Sequence, residues 1–127
     1  MNEQTKLGQI EIGTIENENI KLSPAKVKIV SYEIKAIEKA KADKAIFEVK
    51  HPEKEETIHI SAVAYLDGKQ VTNSGTWVNL DKEGKIYKGS ALAVLLSKTG
   101  AKNLDEIKDK EIETELDDNG YLIFRCY

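Results

Sequence analysis

Cysteine is nearly absent: Cys126 stands alone, next to the last residue of the sequence. A single thiol excludes an intramolecular disulfide and a cysteine zinc cluster. It fits a reducing, cytoplasmic setting. Arginine is as scarce, Arg125 against eighteen lysines, so there is no arginine cluster for gripping phosphate. No uninterrupted apolar run approaches the ~20 residues of a membrane span. Met1-Asn2-Glu3-Gln4 begins with neither a basic n-region nor an apolar h-region, so secretion and membrane insertion are not expected. What is present, 40% hydrophobic and 32% charged residues in a chain of 127, describes one globular domain with room for a core and no need of metal or disulfide staples. It is too short for a barrel enzyme or a two-domain dinucleotide-binding enzyme.

The net charge of −3 does not attract a polyanion as a whole, but the charge is unevenly placed. Residues 1–20 carry −3. Residues 21–50 carry +4, eight lysines against Glu33, Glu38, Asp43 and Glu48, and residues 101–127 carry −4.

Along the chain, residues 1–24 alternate weakly through Ile10, Ile12, Ile15 and Ile20 and end near Pro24, which reads as an N-terminal arm or short strand ahead of a domain over 25–127. From Val27 the apolar set moves from odd positions (Val27, Ile29) to even ones (Tyr32, Ile34, Ala36). Side chains alternate faces strictly along a strand, so this change of phase demands a bulge or bend near Val30. A charged connection over 39–44 leads to a strand through Ala45, Phe47 and Val49, and a second through Ile58, Ile60, Ala62 and Ala64. Asp67-Gly68 turns the chain into Val71. A loose stretch over 72–75 and then Trp77, Val78 and Leu80 complete an appended ribbon, and the Asp81–Gly84 turn leads to Ile86 and Tyr87. Ser90 is placed to cap a helix whose Leu92, Leu95 and Leu96 share one face, with Gly100 beyond its end and Asn103 capping a further single turn. Strands over Glu111–Leu116 and Tyr121–Tyr127 close the sequence.

The order is a long bent strand, two strands with a ribbon, a helix and two more strands. It resembles the OB-fold, a five-stranded Greek-key barrel. The bend near Val30, the helix Ser90–Lys98 and the terminal strand pair carry the resemblance. The stretch Lys88–Leu96, with Gly100, Leu104 and Ile107 after it, is also similar to small uncharacterised proteins of archaea, their viruses or phages. The expected fold class is therefore mainly β with one helix, an OB-like barrel with an N-terminal arm and an extra β-ribbon after strand three. A β-sandwich or another small barrel remains the alternative.

What the resemblance implies is a binding module, because many OB-folds hold single-stranded DNA or RNA, and others oligosaccharides or proteins, on the face of strands two and three and in the loops joining strands one and two and strands four and five. If Ala45, Phe47, Val49, Ile58, Ile60, Ala62 and Ala64 point inward, then Glu48, Lys50, His59, Ser61, Val63 and Tyr65 point outward. The expected contacts are Lys39, Lys41 and Lys44 in the first loop, Lys50, His59 and Tyr65 on the face, and Trp77 as a stacking plane. Set against this are Glu48 on the same face, the acidic loop 117–120, and a second reading of Trp77 as a ribbon-packing residue.

Other features point to structure rather than chemistry. His51 and His59 lack a thiol or carboxylate at ligand spacing, so no metal is expected, and both read as surface residues. The alternating Glu111, Glu113 and Glu115 make an ordinary outward strand face. Ser90 has no nucleophile-elbow flank, Cys126 reads as a small apolar filler, and no phosphate-cradling glycine loop occurs. No catalytic residues, metal or cofactor are expected. The alternative function is a protein-interaction or accessory subunit that uses the acidic C-terminal region or an exposed strand edge.

Overall fold

A computed structural model describes residues 22–127, so the arm expected over 1–24 lies outside the described residues up to position 21. The protein is mainly β with one helix. The strands are β1 (Val27–Ile37), β2 (Ala42–Lys50), β3 (Ile58–Ile60), β4 (Ala62–Asp67), β5 (Gln70–Gly75), β6 (Glu111–Ile112), β7 (Thr114–Leu116) and β8 (Leu122–Cys126). Helix α1 spans Ala91–Thr99, and a 3-10 turn covers Leu104–Ile107. The strands form two four-stranded sheets, β3-β2-β1-β6 and β5-β4-β8-β7, which curl into a half-barrel. All named strand pairs are antiparallel except β4 with β8.

The change of phase in the sequence has a structural counterpart. The β1–β2 register shifts between Ile29 and Ser31, leaving Val30 as the extra residue of a bulge. Before the bulge β1 is held on both sides: Val27 and Lys28 pair with Ile112 and Glu111, and the Ile29 carbonyl accepts the Asp109 N–H at 2.7 Å. After it β1 pairs only with β2, and the two run on together to Ile37 and Ala42 as a hairpin. The connection expected over 39–44 is instead a four-residue turn over 38–41. Lys41 takes the left-handed conformation (φ 53°) at the turn, and Lys44 lies within β2. Lys39, Ala40 and Lys41 do form the turn, and the rest of the charged stretch, Ala42, Asp43 and Lys44, continues as β2.

Two further expectations are corrected. Val63 does not point outward; both it and Ala64 are fully buried. The strand breaks at Ser61, between β3 and β4, which changes the parity of the residues beyond it, and α1 packs against β4. The stretch over 72–75 is not loose: it pairs with β4 from Tyr65↔Thr72 to Ala62↔Gly75, and Gly68 supplies the positive φ of 69° in the two-residue turn after Asp67.

The core lies between the sheets and α1. Phe47 and Phe124 are both fully buried and meet edge to face, with centroids 5.7 Å apart. Leu92, Leu95 and Leu96 supply the helix's buried face. The caps form as the sequence suggests: the Ala93 N–H donates to Ser90 Oγ at 3.1 Å, Gly100 is left-handed, and the Glu106 N–H donates to Asn103 Oδ1 at 3.0 Å.

His51 is not a surface residue. It is fully buried in the turn after β2, where the Glu53 N–H donates to Nδ1 at 3.0 Å, so Nε2 bears the hydrogen and donates to the Ser23 carbonyl at 2.7 Å. The Ser23 N–H in turn donates to Glu53 Oε1 at 3.1 Å, and Thr114 Oγ1 both accepts from the Ala25 N–H and donates to the Ala25 carbonyl. These bonds fasten the chain entering β1 to the β2–β3 turn and to β7.

Candidate functional site

Below Ile60, β3 occupies the outer edge of β2, pairing Phe47 with Ile60 and Val49 with Ile58. Further along, the segment after β5 takes over that edge. The Ala45 N–H donates to the Thr76 carbonyl at 2.9 Å, the Val78 N–H to the Asp43 carbonyl at 2.9 Å, and Thr76 Oγ1 to the Ala45 carbonyl at 2.5 Å. Thr76 is fully buried and Val78 packs on the core, so strand alternation sends Trp77 to the opposite, outer face. Trp77 forms a bridge pair with Lys44, whose Nζ lies 5.1 Å from the indole centroid. That distance is within the ~6 Å range of a cation–π contact. Both side chains are half-buried.

Gly75 makes this arrangement possible. A Cβ built there would stand 2.9 Å from Lys44 Cε and 2.9 Å from Trp77 Nε1, so the lysine stem and the ring edge fill the space a side chain would need. On the other side of β2, Lys44 is the cross-strand partner of Lys35. The outer face thus carries a row Lys35, Lys44, Trp77 across three backbone segments, beside the turn that bears the exposed Lys39 and Lys41. Lys35 was absent from the expected contacts, although the phase change at Val30 that turns Tyr32, Ile34 and Ala36 one way turns Ser31, Glu33 and Lys35 the other.

The remaining expected contacts lie elsewhere. Lys50 is six residues along β2 from Lys44, about 20 Å at the rise of a strand, and its ammonium is engaged by the carbonyls of Lys54 and Glu55. His59 is exposed and pairs across the strands with Glu48. Tyr65 is half-buried against the core, opposite Thr72. The structure therefore pairs Lys44 with Trp77, places Lys39 and Lys41 at the turn that ends the same hairpin, and leaves Lys50, His59 and Tyr65 elsewhere.

Glu48 sits between these ends. It accepts hydrogen bonds from Thr57 Oγ1 and from Ser31 Oγ, the latter at 2.9 Å. Hydroxyl donation from Thr57 first, then Ser31, holds its carboxyl below the usual range, so it stays ionised and locally satisfied. In the acidic loop, Asp117 Oδ1 accepts the N–H groups of Asn119 and Tyr121, each at 2.9 Å, which makes this carboxylate a loop-builder.

Among the described residues, no group of three or more His, Cys, Asp or Glu could hold a metal ion, and no helix is long and apolar enough to cross a membrane. Cys126 is buried as the sequence suggests, and burial pushes its thiol up to about 12. Comparison with known proteins yields no match among family models, curated proteins or solved structures.

Proposed function

We propose that this protein is a non-catalytic module that binds single-stranded nucleic acid on the outer face of β2, with the β1–β2 turn and Trp77 forming the gripping end. The observation that carries this reading is the Lys44 ammonium seated against the half-buried Trp77 ring, next to Lys39 and Lys41. Lysines meet phosphates, and an aromatic plane accepts a base whatever its identity, worth about 1–3 kcal/mol per base. The reading belongs with an OB-like barrel, and the strand pairing supports that fold. β1 pairs with both β2 and β6, while β4 runs parallel to β8. Counting β3 with β4, and β6 with β7, as strands broken at Ser61 and Glu113 gives the neighbour order that such a barrel needs, which favours the reading.

Because Trp77 is the only tryptophan, emission excited selectively at tryptophan, clear of the five tyrosines, reports on the site. Titration with single-stranded oligonucleotide at low salt is expected to quench it, and affinity falls steeply as salt rises. No change in emission together with no mobility shift at low salt overturns the reading.

A protein-docking role is the second reading. It is favoured by the cross-strand pair Leu66 and Val71, 54% and 46% exposed near the tip of the β4–β5 hairpin, and by the outer edge of β5, which has no strand partner among the described residues. A discrete oligomer or co-purifying partner would support this role.

A further inference from the structure

Lys35 and Lys44 are direct cross-strand partners on the same face. Like charges in that relation destabilise a sheet, so the pair works against the fold. Neither lysine forms an ion pair with a carboxylate among the described residues. The one acid close by on β1, Glu33, lies a step along the same face, opposite Ile46 rather than between the lysines. Lys44 is held in place, its stem filling the space left by Gly75 and its ammonium against Trp77, whereas Lys35 is exposed. An anion bridging them would turn an unfavourable pair into a favourable trio, and Trp77 lies across Lys44 from Lys35.

We infer that Lys35 and Lys44 form a phosphate seat, and that together with Trp77 they take one nucleotide unit of a single strand, the phosphodiester between the two ammonium groups and the adjoining base on the exposed part of the indole. This rests on the nucleic-acid reading above and deepens it by assigning Lys35 to the site and naming the phosphodiester as the group that row recognises. The requirement for an open strand follows from geometry. The ring is half-buried on a sheet face, so a base reaches it only when it is free of its own pairing partner.

The test uses the full-length protein with oligothymidylate as probe, measuring affinity by Trp77 fluorescence over a range of salt concentrations, and measuring thermal stability without ligand. Removing one phosphate contact by K35M lowers the slope of log affinity against log salt by about 0.7. K69M, at the tip of the β4–β5 hairpin, leaves the slope unchanged. K35E places opposite charges across the strands; its expected signature is weaker oligonucleotide binding, by about tenfold or more at low salt, together with a melting temperature equal to or a few degrees above that of the parent. Such a variant loses binding without losing stability, which damage to the fold would not produce. If the parent binds and K35M keeps the parent's slope, the phosphate seat is overturned while the nucleic-acid reading stands. If the parent does not bind oligothymidylate at low salt, both are overturned.

Discussion

Gly75 is in the glycine-tolerant position because of crowding rather than backbone angle. A methyl group there meets a lysine stem, which can swing away, and an indole edge, which is rigid. Gly75→Ala is therefore expected to shift the Trp77 ring towards solvent, giving red-shifted emission and weaker oligonucleotide binding with an unchanged far-ultraviolet spectrum. Cys126 makes the opposite kind of prediction, one of inertness. Its thiol is pushed up to about 12 by burial, and the thiolate is the reactive form. Alkylation by iodoacetamide at pH 8, followed by mass spectrometry, should leave the native protein unmodified and label it fully once it is unfolded. Since the native value is raised, the stability tied to this thiol is intact below its ordinary value of 9.0 and is lost as pH climbs towards about 12. Glu48 has the reverse sign. Its lowered native value means that its contribution is present above the ordinary 4.5 and fades as pH falls below it, so Glu48→Gln should flatten the acid limb of a stability-versus-pH curve.

At the scale of elements, the helix and its caps are local devices and give local predictions. Ser90→Ala removes the acceptor of the Ala93 N–H and should cost about 1 kcal/mol in a denaturant titration. Phe47→Ala opens a cavity facing Phe124 and should cost roughly 3–5 kcal/mol. Such features were legible in the sequence because each is written in a few neighbouring residues: Ser90 and Gly100 around the leucine stripe, Asp67-Gly68 at a two-residue turn, and the shift from odd to even apolar positions around Val30. What could not be read depended on distant partners. The parity change at Ser61 arises where β3 leaves one sheet and β4 joins another, and nothing in Ile60-Ser61-Ala62 announces it. His51 is buried because Ser23, twenty-eight positions earlier, supplies a carbonyl for its Nε2. Lys44 looked like part of a loop because its neighbours are charged, yet β1 continues past the bulge and keeps β2 paired with it as far as Ala42.

For the molecule as a whole, the bulge at Val30 divides the work of β1. Its first part ties β6 to β2, and its second part carries a two-stranded hairpin outward with Lys35, Lys39, Lys41 and Lys44. The opposite charge is concentrated over 101–127, where Asp117 builds its own loop and Glu115 accepts the Tyr127 hydroxyl at 2.6 Å. Glu33, Glu38 and Asp43 share the hairpin with these four lysines and leave it at +1, so a chain of net charge −3 keeps one weakly basic end. Four of the candidate site's five residues were accessible from sequence, since Lys39, Lys41, Lys44 and Trp77 could be named without knowing the fold. Their assembly into a row with Lys35 was not, because it depends on the segment after β5 returning to the edge of β2.

The central claim is that this row is where a single strand is held. The most direct measurement is the proton–nitrogen correlation spectrum of the labelled protein during titration with oligothymidylate at low salt, in which the lone indole N–H marks Trp77. The account predicts that the indole peak moves to saturation together with the amide peaks of Lys35, Lys44 and Gly75–Trp77, and that the shifts reverse as salt is added. An indole peak that stays in place while amides on another face move, or a spectrum that does not change at all, would contradict it.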